Sequence, residues 1–145
     1  PVPHHWQQVD LSELCSETLR LLKPMAAQRH LDLKGGEDNL VWGDGEQLRQ
    51  VIANLVMNAI QATEETGQVV VTLQEKSQGV QLTVDDNGVG IAPDVFTTKK
   101  VGEGTGLGLS IVHGIIEEHG GTISARASAS GGARFTIMIP FGEER

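Results

Sequence analysis

The sequence predicts an α+β fold, a two-layer α/β sandwich in which about three helices cover one face of a mixed, mostly antiparallel sheet. Two observations carry that expectation: the strands come as hairpins rather than in β-α-β alternation, and apolar residues recur at helical spacing in the long segments between them. Asp10-Leu11-Ser12-Glu13 has the form of a helix N-cap with an acidic partner three residues on. Leu11, Leu14, Thr18, Leu21, Leu22 and Met25 then follow helical spacing, with a kink expected at Pro24. After the polar stretch from Lys34 to Asn39, Leu40-Val41-Trp42 reads as a short strand, and Asp44 as the cap of a second helix running to about Ala62.

In that second helix Leu48, Val51, Ile52, Leu55, Ala59 and Ala62 mark one buried stripe. Val69 to Leu73 and Val80 to Val84, rich in β-branched residues and separated by Lys76-Ser77-Gln78-Gly79, read as a hairpin. A segment of low apolar content from Ile91 to Gly104 reads as a loop. A third helix follows from about Gly106 to His119, closed by Gly120-Gly121. Ile123 to Ala127 and Arg134 to Ile139 make a last hairpin around Ser130-Gly131-Gly132.

The 145 residues suit one domain with its own core. Nineteen acidic against eleven basic residues, a formal net charge of -8, argue against a general grip on nucleic acid or on an anionic membrane surface. Cys15 is the single cysteine, so no intrachain disulfide or cysteine-based zinc site is expected, which fits a reducing, cytoplasmic setting. No apolar run approaches the ~20 residues of a membrane-spanning helix. Residues 1–9, with Pro1 and Pro3 and no apolar periodicity, read as a linker from a preceding domain.

Three patterns carry chemistry. Asn54 and Asn58 lie one turn apart on the second helix, so both carboxamides project beside the core stripe, with Gln61 following on the same side. They offer neutral oxygen ligands to a hard cation such as Mg²⁺. Asp86-Asn87-Gly88-Val89-Gly90 has the spacing D-x-G-x-G directly after a strand; alone it is an ordinary turn. Its functional reading has Asp86 accepting a hydrogen bond from a base amine, with Gly88 and Gly90 letting the purine approach the backbone. Gly102-Glu103-Gly104-Thr105-Gly106-Leu107-Gly108 runs into a helix N-terminus, a setting suited to phosphate. No strand precedes it and no G-K-[ST] ending follows, so neither a Rossmann nor a P-loop reading holds. Cys15, His4, His5, His30, His113 and His119 show no ligand or nucleophile spacing and read as structural or surface residues.

Taken in order, Asn54 to Ala62, Asp86 to Ile91, Phe96-Thr97-Thr98-Lys99 and Gly102 to Val112 closely resemble the N, G1, F and G2 boxes of the catalytic ATP-binding domain of bacterial sensor histidine kinases. The resemblance covers the chain from the first helix to Phe141. It implies the Bergerat fold, an ATP-binding domain over residues 10–141 after a linker from a dimerisation and phosphoacceptor domain, and a tail at 142–145. It implies that Asn58 and Asn54 hold Mg²⁺ and phosphates and that Asp86 reads adenine. Gly88, Gly90, Ile91 and Gln61 would border the nucleotide, and Gly102, Gly104, Thr105, Gly106, Leu107 and Gly108 would line the triphosphate with Lys99. The implied partners are ATP, a histidine-bearing dimerisation domain and a response-regulator receiver, with no nucleic acid and no direct membrane contact.

Related ATPases of the gyrase and MutL type carry a water-activating glutamate where Asn54 stands, and an amide is not a useful general base at neutral pH. The substitution favours phosphoryl transfer over hydrolysis. Gln61 stands where many members have a lysine. Between Gly90 and Gly102 only residues 91 to 101 remain, shorter than the usual lid: either the segment that normally lies between Pro93 and Phe96, with its short helix, is truncated, or the sequence as given skips residues there. That departure leaves a nucleotide-binding module without transfer activity as the alternative reading.

Overall fold

A computed structural model describes residues 5–35, 39–88, 106–129 and 131–142. Along the chain run β1 (Trp6–Asp10), α1 (Leu11–Ala26), β2 (His30–Lys34), β3 (Leu40–Asp44), α2 (Gly45–Ala62), β4 (Gln68–Glu75), β5 (Gly79–Asp86), α3 (Gly106–Glu118), β6 (Thr122–Ala127) and β7 (Ala133–Pro140). Five strands form one sheet in the order β2-β4-β5-β7-β6, all pairs antiparallel except β2 with β4. β1 and β3 form a separate antiparallel pair. The expected α+β class, with a mixed, mostly antiparallel sheet, is what the chain adopts.

Period-two alternation decides which face the helices cover. Val69, Val71 and Leu73 of β4, Val80, Leu82 and Val84 of β5, and Ala133, Phe135, Ile137 and Ile139 of β7 are buried and stand in register with one another. Against this layer α2 packs Leu48, Val51, Ile52, Leu55, Val56, Ala59 and Ile60, so its buried face is wider than the predicted stripe and leaves Ala62 partly exposed. The opposite sheet face carries Thr72, Thr83 and Thr136 in register, the polar alternates of the same strands. α1 begins at Asp10, whose Oδ1 accepts from the N–H groups of Ser12 and Glu13, and runs through Pro24 to Ala26. Burial, with the charge of Asp10, pushes the Cys15 thiol up to about 12, which makes it a core residue and not a nucleophile.

Two strands were not legible. Trp6–Asp10, which takes in residues 6–9 of the expected linker and the helix cap Asp10, pairs with β3 over its whole length; its Gln7-Gln8 pair breaks any alternation, and only Val9 is buried. His30–Lys34, not among the predicted strands, is an edge strand; Leu31 and Leu33 alternate with polar residues and are only partly buried, so its hydrophobic signal is confined to two residues.

β1 nevertheless has a structural task. Trp6 stacks on His119 with ring centroids 4.5 Å apart. His119 lies just past α3 and is buried; its Nδ1 lies 2.9 Å from the Ile115 carbonyl, and its Nε2 accepts from the Asp44 N–H at 3.1 Å. Both contacts are satisfied together only by the neutral ring with the proton on Nδ1. Asp44 in turn caps α2 through the Gln47 N–H. His119 therefore ties the end of α3 to the start of α2. No helix among the described residues is long and apolar enough to cross a membrane.

His119→Ala should lower the unfolding free energy by about 1–3 kcal/mol, because the buried Asp44 N–H loses its acceptor. Urea denaturation followed by circular dichroism checks this; a midpoint equal to wild type would contradict the tie.

Candidate functional site

Three contacts assemble the site around α2. At its C-terminal end, Gly88 lies so close that a Cβ there would collide with the Ala62 carbonyl. In its middle, Asn54 Nδ2 donates to the Gly108 carbonyl at 3.5 Å, the long limit of a hydrogen bond, and a Cβ on Gly108 would sit 3.8 Å from the Asn54 amide carbon. Between these points Asn58 stands one turn from each, half-buried like Asn54. Gln61, in the last turn, is exposed.

Asp86 occupies the last inward position of β5, in register with Val69 on the face where every other inward residue of that strand is apolar. It is 2% exposed. Its Oδ1 accepts from the N–H groups of Gly88 at 2.9 Å and Ala133 at 3.3 Å. Burial, the largest cause, pushes its carboxyl above the ordinary value; the Gly88 and Ala133 N–H groups pull it down in part, and the charge of Asp85 pushes it up again. Asn87 closes the turn by accepting from the Gln68 N–H at 2.9 Å.

Several contributors carried no sequence signal. Arg29 donates from Nε to the Thr63 hydroxyl and from a terminal nitrogen to the Thr63 carbonyl, both at 2.8 Å, so a cation closes the C-terminal end of α2 beside Gly88. Gly132 lies against Asp86: a Cβ there would strike Oδ1 and the backbone oxygen of Asp86. In sequence Gly131-Gly132 is only a hairpin turn, and the contact with a residue 46 positions earlier is set by β5–β7 pairing. His119, read as structural, is so.

Of the predicted site residues, Asn54, Asn58, Asp86, Gly88 and Gly108 thus gather along α2, and Gly106 and Leu107 open the backbone of α3. Gly90, Ile91, Lys99, Gly102, Gly104 and Thr105 lie outside the described residues, as does the whole short segment 91–101. Two grooves lie elsewhere: one of about 620 Å³ between β1 and the starts of α1 and α2, and one of about 450 Å³ beside Trp42 and Phe141. Neither is lined by Asn54, Asn58 or Asp86. Among the described residues no group of three His, Cys, Asp or Glu could hold a metal ion.

Residues 43–143 match the family model described as histidine kinase-, DNA gyrase B- and HSP90-like ATPase. The sensor histidine kinase ZraS of Escherichia coli O157:H7 is 43% identical over 92% of this chain, and the sensor histidine kinase RppB of Synechocystis is 34% identical over 93%. This chain spans only about a third of either relative, 31% and 33%. The nucleotide-free catalytic domain of the histidine kinase ThkA superposes with a TM-score of 0.87 at 30% identity, covering 97% of this chain and 99% of that one. Full-length ShkA in complex with AMPPNP superposes at 0.85 and 28% identity, covering 99% of this chain and 32% of that one.

An acid whose pKa is higher folded than unfolded holds more proton in the folded state. The stability it contributes is then full below the unfolded pKa and falls as pH rises through the folded one. Asp86→Asn removes that titration and keeps an acceptor for Gly88 and Ala133. Without nucleotide, the variant should melt at or above wild type at pH 7, with the difference shrinking as pH falls toward about 4. A pH series of thermal melts checks this, and a variant that melts well below wild type at pH 7 contradicts it.

Proposed function

The chain belongs to the histidine kinase-, DNA gyrase B- and HSP90-like ATPase family, and from that membership we propose that it binds Mg·ATP and donates the γ-phosphoryl group to a histidine on a separate dimerisation domain. The observation that carries this is the spacing of contacts on α2. Ala62 abuts the Gly88 turn and Asn54 meets Gly108. At 1.5 Å per residue those points are roughly 12 Å apart along the helix, a span suited to a nucleotide with its base at Asp86 and its phosphates at the glycine-rich approach to α3.

Each residue then has a role set by its chemistry. The Asp86 carboxylate accepts from the exocyclic amine of adenine, and Gly88 lets the turn beside it close against the end of α2. With Asn54 Nδ2 committed to Gly108, its Oδ1 and the Asn58 amide oxygen face the phosphates and Mg²⁺. The metal supplies charge neutralisation of the triphosphate. The glycine-rich sequence from Gly102 to Gly106, with Lys99 before it, is of the composition that would hold phosphate oxygens through backbone N–H groups and a cation. In the transfer the bond from the γ-phosphorus to the bridging oxygen breaks, a phosphorus–nitrogen bond forms to the incoming imidazole, and ADP leaves. Asn54 has no basic group to activate water, so positioning and electrostatics carry the reaction.

The whole protein would act in the cytoplasm, as part of a sensor whose phosphorylated histidine passes its phosphate to a response-regulator receiver. The eleven residues between Gly90 and Gly102 favour a second reading, a nucleotide-sensing module that binds ATP without delivering it.

Radiolabelled ATP with a separately supplied histidine-bearing helical domain decides between them: acid-labile label on that domain supports the kinase, and binding without transfer supports the module. With ATP alone the chain should stay unlabelled, and robust self-labelling would overturn the proposal. Asn58→Ala should weaken ATP binding about tenfold, ~1.4 kcal/mol, in Mg²⁺ and much less in EDTA. Equal losses in both buffers would remove Asn58 from the metal site.

A further inference from the structure

The β6–β7 hairpin reaches the same strand end from both sides of the sheet. Asp85 and Asp86 are neighbours on β5 and so point to opposite faces. On the outer face the Asp85 Oδ1 accepts from Arg134 Nε at 2.7 Å and from the Ser128 hydroxyl at 2.8 Å. Arg134 is its register partner on β7, while Ser128 sits at the turn following β6. That turn is closed on itself by Ser128 N–H to the Gly132 carbonyl, 2.8 Å, and Gly131 N–H to the Ser128 carbonyl, 3.0 Å. On the inner face the far side of the same turn, Gly132 and Ala133, forms a wall against Asp86.

We propose that the Asp85–Ser128–Arg134 clamp positions Asp86 for base recognition by fixing the hairpin turn against it, making Ser128 and Arg134 positioning residues for purine selectivity. The proposal rests on the assignment of Asp86 to the adenine amine. The argument is geometric. A lateral shift of the turn by a few tenths of an ångström either drives Gly132 into Oδ1 or opens the Ala133 contact, already 3.3 Å, beyond hydrogen-bond range. Either change re-aims the carboxylate. Ser128 and Arg134 grip Asp85 on the face of the sheet opposite Asp86, so they can be varied while the wall residues Gly132 and Ala133 stay unchanged. A partly exposed ion pair contributes little to stability; Arg134 is 44% and Asp85 14% exposed. Selectivity is therefore where the clamp should register.

The test compares binding of ATP and inosine triphosphate, which carries a carbonyl where adenine has its amine. Arg134→Ala and Ser128→Ala should each reduce the preference for ATP about fivefold, by weakening ATP while inosine triphosphate binds as to wild type. Arg134→Lys should recover part of the preference. Thermal melts of the same variants separate selectivity from folding. An unchanged preference in both alanine variants overturns the proposal, and so does equal weakening of both nucleotides together with a lowered melting temperature. Asp86→Asn tests the premise separately. Loss of its preference with the clamp variants unaffected defeats the clamp alone; an unchanged preference in Asp86→Asn defeats the base assignment and the clamp together.

Discussion

A carboxylate at the end of an apolar sheet face is the constraint from which the rest of this site follows. β5 presents Val80, Leu82 and Val84 inward, and its next inward position is Asp86, buried to 2%. An ionised group so placed is costly unless hydrogen bonds surround it. Among the described residues, the backbone N–H groups of Gly88 and Ala133 donate to its Oδ1. The turns that carry these donors come close only because side chains are absent at Gly88, against the Ala62 carbonyl, and at Gly132, against Asp86 itself. The partial compensation leaves the carboxyl titrating above its ordinary range. Such a residue loses stability to keep its position, the usual mark of a functional group rather than a structural one.

α2 transmits that constraint to the remainder of the site. Its C-terminal end is fixed by Thr63 and Arg29 beside the Gly88 turn, and its N-terminal end by the Asp44 cap and His119. α3 lies along it in the opposite direction: Gly108, at the start of α3, meets Asn54, and Glu118, at its end, is 3.5 Å from Gln47. Two helices held at both ends cannot slide by a turn without breaking buried contacts. Asn54 and Asn58 thus keep a fixed height relative to Asp86. Trp6, packed on His119, brings the strand that enters the domain into the same arrangement.

How much of this could be read from the sequence depended on whether the signal was local. The α2 stripe, its cap at Asp44 and both hairpins were legible because periodicity and turn chemistry reside within a dozen residues. So was the pairing of Asn54 with Asn58, a matter of helical spacing, and the order of the motifs gave the family. β1 and β2 were not legible: β1 breaks alternation at Gln7-Gln8, β2 alternates through Leu31 and Leu33 alone, and each is specified by its partner strand. Arg29, Ser128, Gly132 and Arg134 were invisible for another reason. Their roles lie in contacts across 34 to 49 residues, and as isolated letters they are two arginines and two ordinary turn residues.

Asn54 shows how fold and chemistry constrain one another at a single position. An amide can donate from Nδ2 and accept at Oδ1, so it can hold the Gly108 carbonyl and still leave an oxygen that can accept. A carboxylate of similar reach has no donor when ionised. Placed here it would set negative oxygen against the carbonyl oxygen of Gly108, and even at 3.5 Å that contact changes sign from attraction to repulsion. α3 would then have to stand off from α2 at the residues that lead out of the glycine-rich loop. The amide at position 54 therefore does more than remove a base that could activate water. It is the residue type that lets α3 begin close against α2, so one side chain bears on both the chemistry proposed for the site and the packing of the two helices.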